Sequence, residues 1–257
     1  MALRHDLHVH SSYSDGWDMA EMVETGVETG LEGLGFADHC PIGQDRFGRR
    51  DRYNLTETYE DRRAELDTLA KRHDIRLFDA AEVNYDPAKE DRIAAFLDEA
   101  GFTYTVGSVH FAEGVDIVQP QLNPETESER RRAVERYVDW QVALIESELF
   151  DIAGHVDLVQ RDPLLRGLMT DEDYERIADA FVRSRTIPEI NGGRLDRSYG
   201  TIHPHPDALP IFAARDIPFV LGTDSHAPDQ LDRRLSLLED VIKDVPVEIV
   251  PTPPAIA

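Results

Sequence analysis

Short runs of apolar and β-branched residues alternate along the chain with longer segments in which apolar residues recur at helical spacing. The short runs predict seven strands, at residues 3–8, 33–37, 75–82, 102–109, 150–155, 187–190 and 218–221. The longer segments predict helices at residues 19–29, 56–72, 87–100, 125–149, 171–185, 207–215 and 231–242. Strands that alternate with helices are typical of a parallel sheet. The pattern therefore predicts an α/β fold.

Three irregular stretches interrupt the alternation, and each follows a predicted strand. They cover residues 41–55, 111–124 and 191–206. In parallel barrels the loops that follow the strands carry the functional site, so we expect these stretches to border it. Residues 246–257 are too rich in proline to continue the last helix and are expected to form a short edge strand with a loose end.

Length and composition favour a single soluble domain. The 257 residues match the usual size of one α/β barrel. We expect one barrel domain over residues 1–245 and a proline-rich tail over 246–257. No apolar stretch approaches the roughly 20 residues of a membrane helix, and the N-terminus shows no secretory signal. The single cysteine, Cys40, agrees with a reducing compartment, so a cytoplasmic protein is predicted.

The chain is strongly acidic. It has 51 Asp and Glu residues against 27 Lys and Arg, a formal net charge of −24. This charge repels phosphate backbones, so we expect no binding of long nucleic acids. Lysine occurs only at positions 71, 89 and 243. High acidity with little lysine resembles the proteins of salt-adapted organisms, and a halophilic protein is predicted, with an ordinary acidic enzyme as the alternative.

Histidines and carboxylates recur where the predicted strands end. His8 and His10 lie two residues apart and share one face, because strand side chains alternate with period two. Later strands are followed by Asp38, His39, Glu82, His110, His155, Asp224 and His226. Gathering these groups is costly unless metals or mutual hydrogen bonds compensate. Imidazole with carboxylate suits zinc, manganese or iron, and the number of candidate ligands predicts more than one ion.

These motifs, in this order, resemble the polymerase and histidinol phosphatase (PHP) family of metal-dependent phosphoesterases. The resemblance rests on His8-Val9-His10 with Asp15-Gly16, Ala37-Asp38-His39, Glu82, His110, His155 and Asp224-Ser225-His226. It implies a distorted (β/α)7 barrel of the TIM-like type, with the metal site at the C-terminal ends of the strands. It also implies two or three divalent ions of zinc, manganese or iron.

The resemblance further implies a distribution of ligands among three ions. The first ion is implied at His8, His10, Glu82 and Asp224. The second is implied at Asp15, His39 and His226. The third is implied at Glu82, His110 and His155. Glu82 would then bridge two ions, and the second ion is the one whose ligand set varies in the family, since some members carry histidine at the position of Asp15.

Amidohydrolases are a competing barrel family, since they also begin with a His-x-His strand and end with an acidic strand tip. Many of their two-metal members bridge the ions with a carboxylated lysine. In this chain Lys71 and Lys89 lie in helical patterns and Lys243 follows the last helix. The lysine positions therefore favour the PHP family.

A cluster of divalent ions suits the hydrolysis of a phosphate ester, because the ions activate water and neutralise charge on phosphoryl oxygens. Asp224 or His226 is expected to assist proton transfer. Arginine matches phosphate oxygens bidentately. Three arginines lie beside the motifs, and we expect Arg161 and Arg197, more than Arg194, to contact the phosphate.

Two segments resemble the histidinol-phosphate phosphatase branch in particular, at residues 154–159 and 189–191. Both would border the substrate, and His203 and His205 are expected to be loop residues. The leading hypothesis is hydrolysis of a small phosphate monoester, with L-histidinol phosphate as the substrate. The alternatives are a nuclease or nucleotide phosphoesterase of the same family, and a non-catalytic interaction module stabilised by metal.

Overall fold

Seven parallel strands form the centre of the protein, of which a computed structural model describes residues 4–42, 55–112, 115–117, 124 and 126–256. The first four are β1 His5–Val9, β2 Gly33–Cys40, β3 Arg76–Asn84 and β4 Tyr104–Ser108. Two short strands, β5 Phe111–Ala112 and β6 Val115–Asp116, pair separately and antiparallel. The parallel sheet continues with β7 Ile152–Ala153, β8 Ile187–Asn191 and β9 Val220–Gly222, so that its strands follow chain order.

The sheet closes almost completely between its first and last strands. The amide of His10 donates to Ser225 O at 2.9 Å, and the amide of Asp224 donates to His8 O at 2.7 Å. An alanine at Gly222 would place its Cβ 2.5 Å from His8 Cβ, so glycine is needed for this close approach. The result is a nearly closed α/β barrel, and the predicted seven-stranded TIM-like fold is confirmed.

Helices connect the strands on the outside of the barrel. They are α1 Met19–Glu28, α2 Leu55–Ala70, α3 Glu90–Ala100, α4 Glu127–Glu146, α5 Asp171–Val182, α6 Leu209–Ala213 and α7 Pro228–Val241. All seven predicted helices are present with shifted ends. The third and sixth begin later than predicted, because Pro87–Lys89 and Pro206–Ala208 form 3₁₀ turns before them. None of the described helices has the length and hydropathy of a membrane span.

A cluster of apolar side chains, which we term the inner cluster, fills the barrel interior. Its members are Leu7, Ala37, Phe78, Ala80, Tyr104, Val106, Ile152, Ile187 and Val220. The register of β1 against β2 shifts between Asp6 and Val9. This irregularity lets Leu7 pack in the inner cluster while the next residue, His8, contacts the charged side chains above it.

The proline-rich tail packs against the barrel. Phe219 donates its amide to Glu248 O at 2.9 Å and accepts from the amide of Val250 at 2.8 Å, which makes a short parallel bridge. Val250 and Ile256 contact the inner cluster. The predicted edge pairing is present, whereas the predicted loose end is wrong, because Thr252 is buried and Ile256 is packed.

The three predicted irregular stretches are described unequally. Most of residues 41–55 and 111–124 lies outside the described residues, and the described part of the second contains β5 and β6. The third, after β8, is described throughout. In it His203 forms an antiparallel bridge back to Asn191.

Candidate metal centre

Nine side chains from different strands meet at one end of the barrel, where the strands reach their C-termini. His8, His39 and Glu82 lie within β1, β2 and β3. The others come from the segments that follow β1, β4, β7 and β9, and they are His10, Asp15, His110, His155, Asp224 and His226. Parallel strands deliver their C-terminal residues to the same rim, so residues far apart in the sequence become neighbours.

Glu82 lies at the middle of the cluster and is buried. Its Oε1 is 3.0 Å from His155 Nε2 and 3.3 Å from His110 Nε2. Its Oε2 is 2.7 Å from His39 Nδ1 and 3.7 Å from His8 Nε2. The two oxygens of one carboxylate thus face different sets of imidazoles, which is the arrangement that a bridging ligand requires.

Three groups of side chains among the described residues bring their ligand atoms within 4.8 Å of one another. They are His8 with His10 and Glu82; His10 with Asp15, His39 and His226; and His39 with Glu82 and His110. The first two groups contain most of the ligand sets implied by the resemblance, and Asp224 Oδ1 lies 3.2 Å from His10 Nε2. The third group differs from the implied set, because it contains His39 in place of His155. His155 nevertheless contacts Glu82 Oε1, the oxygen that His110 also contacts.

The donor atoms fit divalent metal ions. The Nε2 atoms of His8 and His10 are buried without a hydrogen-bond partner among the described residues, and both face carboxylate oxygens. A buried polar atom left in this way costs free energy unless something coordinates it. Nitrogen and carboxylate donors together suit zinc, manganese and iron. The cluster is therefore compatible with a site for several ions.

The electrostatics of the cluster favour an ionised Glu82 carboxylate, whereas its imidazoles differ in protonation. Burial, with the neighbouring His226 and His39, lowers the pKa of His10 to about 4. Burial would raise the pKa of Glu82, but the surrounding histidines outweigh it and hold the pKa well below its usual value. For His39, burial is outweighed by Glu82, which raises the pKa to about 9. A metal ion that binds here would displace that proton.

Glu189 contacts Nδ1 of His8, the ring nitrogen that does not face Glu82. Its carboxylate is 2.9 Å from His8 Nδ1 and accepts from the amide of His155 at 3.1 Å and from Asn191 Nδ2 at 2.7 Å. A proton on Nδ1 directs the lone pair of Nε2 toward Glu82, and such carboxylate–imidazole pairs orient metal ligands. The sequence predicted that residues 189–191 border the substrate, whereas the structure places the Glu189 side chain against the candidate ligands.

A second buried carboxylate, Asp38, supports the turn that carries Asp15. Asp38 accepts from the amide of Ser11 at 2.6 Å, from Ser11 Oγ at 2.7 Å and from Ser14 Oγ at 2.7 Å. The guanidinium of Arg62, on α2, donates to it at 3.0 Å and also pairs with Asp79. Arg62 is completely buried. This network was not predictable from the sequence, because Arg62 lies in a helical segment rich in charges.

The three candidate arginines occupy different environments. Arg161 is largely buried and donates to Ile117 O at 3.0 Å, and its burial together with Arg194 lowers its pKa to about 10. Burial also lowers the pKa of Arg194, against the effect of the Asp224 carboxylate. Arg197 has a side chain that is 50% exposed and lies 3.7 Å from Asp196. Arg161 and Arg194 are thus largely buried within electrostatic reach of Asp224, whereas Arg197 is half exposed.

Asp224 follows β9 and has an unusual backbone conformation. Its φ is +51°, and His155, another candidate ligand, also has a positive φ of 28°. Non-glycine residues rarely adopt such angles, and those that do often belong to functional sites. Arg234, which the sequence did not single out, donates to Asp224 O at 2.6 Å. A Cβ at Gly193 would lie 2.7 Å from Asp224 Oδ2, so only glycine leaves room for this carboxylate.

The barrel and its cluster of histidines and carboxylates together define a metal-dependent hydrolase of the barrel type. Comparison with known sequences is more specific. Residues 6–192 match the family model described as the PHP domain. The chain belongs to the PHP family, and the family resemblance predicted from the sequence is confirmed.

Several known proteins are similar over nearly the whole chain. A protein of Deinococcus radiodurans named "Probable histidinol-phosphatase" is 31% identical over 236 residues, which cover 88% of this chain and 86% of that protein. The crystal structure of HisK from Listeria monocytogenes has a TM-score of 0.76 at 20% identity and covers 91% of this chain and 99% of its own. Histidinol phosphate phosphatase from Lactococcus lactis, solved with zinc, L-histidinol and phosphate, has a TM-score of 0.75 at 20% identity and covers 97% and 96%.

Proposed function

We propose that this protein is a metal-dependent phosphatase that hydrolyses L-histidinol phosphate to L-histidinol and phosphate. The observation that carries the proposal is the position of Glu82, whose two oxygens face separate sets of imidazoles within a buried cluster. The Deinococcus relative supports the substrate, because the similarity extends over 88% of this chain.

The residues that would hold the ions are the sets implied by the family resemblance, and the contacts are compatible with them. His8, His10 and Asp224 would hold one ion with Glu82, and Asp15, His39 and His226 would hold a second. His110 and His155 would share a third ion with Glu82. When bound, such ions lower the pKa of a coordinated water and neutralise charge on phosphoryl oxygens.

The remaining chemistry belongs to side chains around the cluster. Arg161 and Arg194 would bind the phosphate oxygens, because both are largely buried and carry fixed positive charge. Asp224 and His226 lie at the mouth, with 19% and 27% of their side chains exposed, where either would exchange a proton with the leaving alcohol. His226 Nδ1 is 2.9 Å from Asp224 O, which fixes the orientation of the ring.

The direct test is release of phosphate by the purified protein. We expect turnover of L-histidinol phosphate in the presence of zinc, manganese or iron, and loss of turnover after a chelator removes the metal. Glu82→Gln should abolish activity and lower the metal content, because the amide cannot bridge as an anion. Glu99→Gln, an exposed position on α3, is the matched control. A metal-loaded protein that releases phosphate only from nucleotides would contradict the proposed substrate.

A further inference from the structure

His203 lies in the loop after β8 and is completely buried beside the candidate metal centre. Its backbone exchanges two hydrogen bonds with Asn191, at 2.8 and 3.0 Å. Residues paired in this way project their side chains to the same face. Because the Asn191 side chain donates to Glu189, which holds His8, the face shared by Asn191 and His203 is the one that carries the centre.

The imidazole of His203 is oriented by a buried carboxylate. His203 Nδ1 is 2.6 Å from Asp157 Oδ1, and the other oxygen of Asp157 accepts from Tyr174 Oη at 2.8 Å and from the amide of His205 at 2.7 Å. Burial would raise the pKa of Asp157, but His203 and these donors hold it below its usual value. Burial lowers the pKa of His203. Because the Asp157 carboxylate faces Nδ1, a neutral His203 in this arrangement carries its proton on Nδ1.

This arrangement leaves Nε2 of His203 as a hydrogen-bond acceptor. The atom is buried and has no hydrogen-bond partner among the described residues. The ring of Tyr199 stacks on the imidazole, with centroids 4.7 Å apart and planes 15° apart, and its hydroxyl is likewise buried and unpaired in the described chain. A buried acceptor without a donor is unfavourable, so a donor from beyond the described residues would stabilise this site.

Two side chains near the candidate metal centre interact electrostatically with His203. His155 and Arg194 both lower the pKa of its imidazole, which places His203 within electrostatic reach of a candidate metal ligand and of a candidate phosphate-binding arginine. The negative charge of Asp157, directly behind the imidazole, favours a cationic donor over a neutral one. Phosphate itself offers no such donor, because a phosphate ester presents acceptor oxygens.

We propose that His203, oriented by Asp157, accepts a hydrogen bond from a nitrogen-bound proton in the organic part of the substrate and so selects amine- or imidazole-bearing phosphate esters. This inference rests on the proposed phosphatase function. L-Histidinol carries both an ammonium group and an imidazole ring, so it offers the class of donor that is missing among the described residues around His203. His203 is thus a specificity-determining residue in the loop after β8, where the sequence predicted it.

The test compares two esters that share the phosphate and differ in the leaving group. The selectivity is the ratio of kcat/KM for L-histidinol phosphate to kcat/KM for p-nitrophenyl phosphate, which has no N–H donor. His203→Phe keeps a ring against Tyr199 and removes the acceptor, so we expect the ratio to fall about 10- to 100-fold, as for a lost hydrogen bond to a charged group. His205→Phe, two residues away and 39% exposed, should leave the ratio unchanged.

Two further variants separate recognition from structural support. His203→Asn keeps a donor near the position of Nδ1 and lacks an acceptor at Nε2, so it should lose the selectivity as His203→Phe does. His203→Gln places an amide oxygen near Nε2 and should retain part of it. Thermal unfolding of all variants shows whether they are folded. L-Histidinol should inhibit the hydrolysis of p-nitrophenyl phosphate more weakly in those variants in which the selectivity ratio falls.

The outcomes are distinguishable. An equal loss of kcat/KM on both esters, or an unchanged ratio in folded His203→Phe, would overturn the role of His203 and leave the phosphatase function intact. A metal-loaded wild-type protein that hydrolyses p-nitrophenyl phosphate but not L-histidinol phosphate would overturn the substrate and this inference with it. A wild-type protein that hydrolyses neither ester would overturn the proposed function itself.

Discussion

Replacing Asp38 by asparagine should weaken the support of the metal centre without removing any candidate ligand. The two oxygens of Asp38 accept four hydrogen bonds, two from Ser11, one from Ser14 and one from Arg62. An amide retains one oxygen and presents an NH2 group in place of the other. If the amide oxygen keeps the contacts of Oδ1, the NH2 group faces Arg62, which is also a donor.

The expected cost follows from these contacts. Removing one partner of a buried charge pair typically destabilises a protein by about 3–5 kcal/mol. Arg62 keeps its pairing with Asp79, which offsets part of this loss, whereas the serine hydroxyls can rotate to suit the amide. We therefore expect Asp38→Asn to lower the free energy of unfolding by about 3 kcal/mol at pH 7.

The assay is urea unfolding, followed by circular dichroism, together with the metal content of the folded protein. Tyr13→Phe, in the same turn, is the control, because it removes a hydrogen bond of 3.0 Å to Glu65 on α2 and leaves Asp38 untouched. The control should cost less than about 1 kcal/mol. Because Asp38 holds the turn that carries Asp15, Asp38→Asn should also lose the ion proposed at Asp15, His39 and His226 before the others.

The effect should depend on pH. Burial would raise the pKa of Asp38, but Arg62 and the hydrogen bonds from the turn hold it below its usual value in the folded protein. The stabilisation by ionised Asp38 is therefore complete above its unfolded pKa of about 3.9 and is lost as the pH falls through the lower folded value. The difference between wild type and Asp38→Asn should narrow below about pH 4. A loss under 1 kcal/mol at pH 7 with unchanged metal content would refute this reasoning.

Three other perturbations test the centre. Glu189→Gln weakens the group that orients His8, so metal affinity measured by competition with a chelator should fall about 10- to 100-fold while the fold is retained. Arg161→Ala should raise the inhibition constant of inorganic phosphate about 10-fold or more, whereas Arg197→Ala, at the exposed position, should change it less than about twofold. Removing the metals from the wild-type protein should lower the melting temperature, and re-addition of zinc should restore it, because the ions bind only the folded state.

The fold and the location of the centre were predictable because both depend on pattern. A strand–helix alternation implies a parallel sheet, and parallel strands deliver their C-terminal residues to one rim. His8, Glu82 and His155 are separated along the chain, yet each comes at the end of a predicted strand. The pattern was less informative about the lengths of the strands. The predicted strand 150–155 pairs only at Ile152–Ala153, because the backbone turns before His155, whose φ is positive.

The supporting residues were not predictable in the same way. Arg62 and Arg234 lie in helices full of charged residues, where an arginine is usually exposed, and only the tertiary structure shows that both are buried against carboxylates and carbonyl groups. Arg194 and Arg197 lie three residues apart in an irregular loop. Without a helical or strand period, the sequence had no means of telling which of them faces the barrel.

Barrel closure and assembly of the metal centre depend on the same contacts. Asp6 accepts from the amide of His8 at 3.1 Å and from the amide of Thr223 at 3.0 Å, and it thereby joins β1 to the end of β9. His8 and Asp224 lie beside this junction, on opposite sides of it. An ion held by His8, Glu82 and Asp224 would connect β1, β3 and the end of β9, and would bind only when the barrel is closed. Metal binding should therefore stabilise the junction between the first and last strands more than it stabilises any single helix of the outer layer.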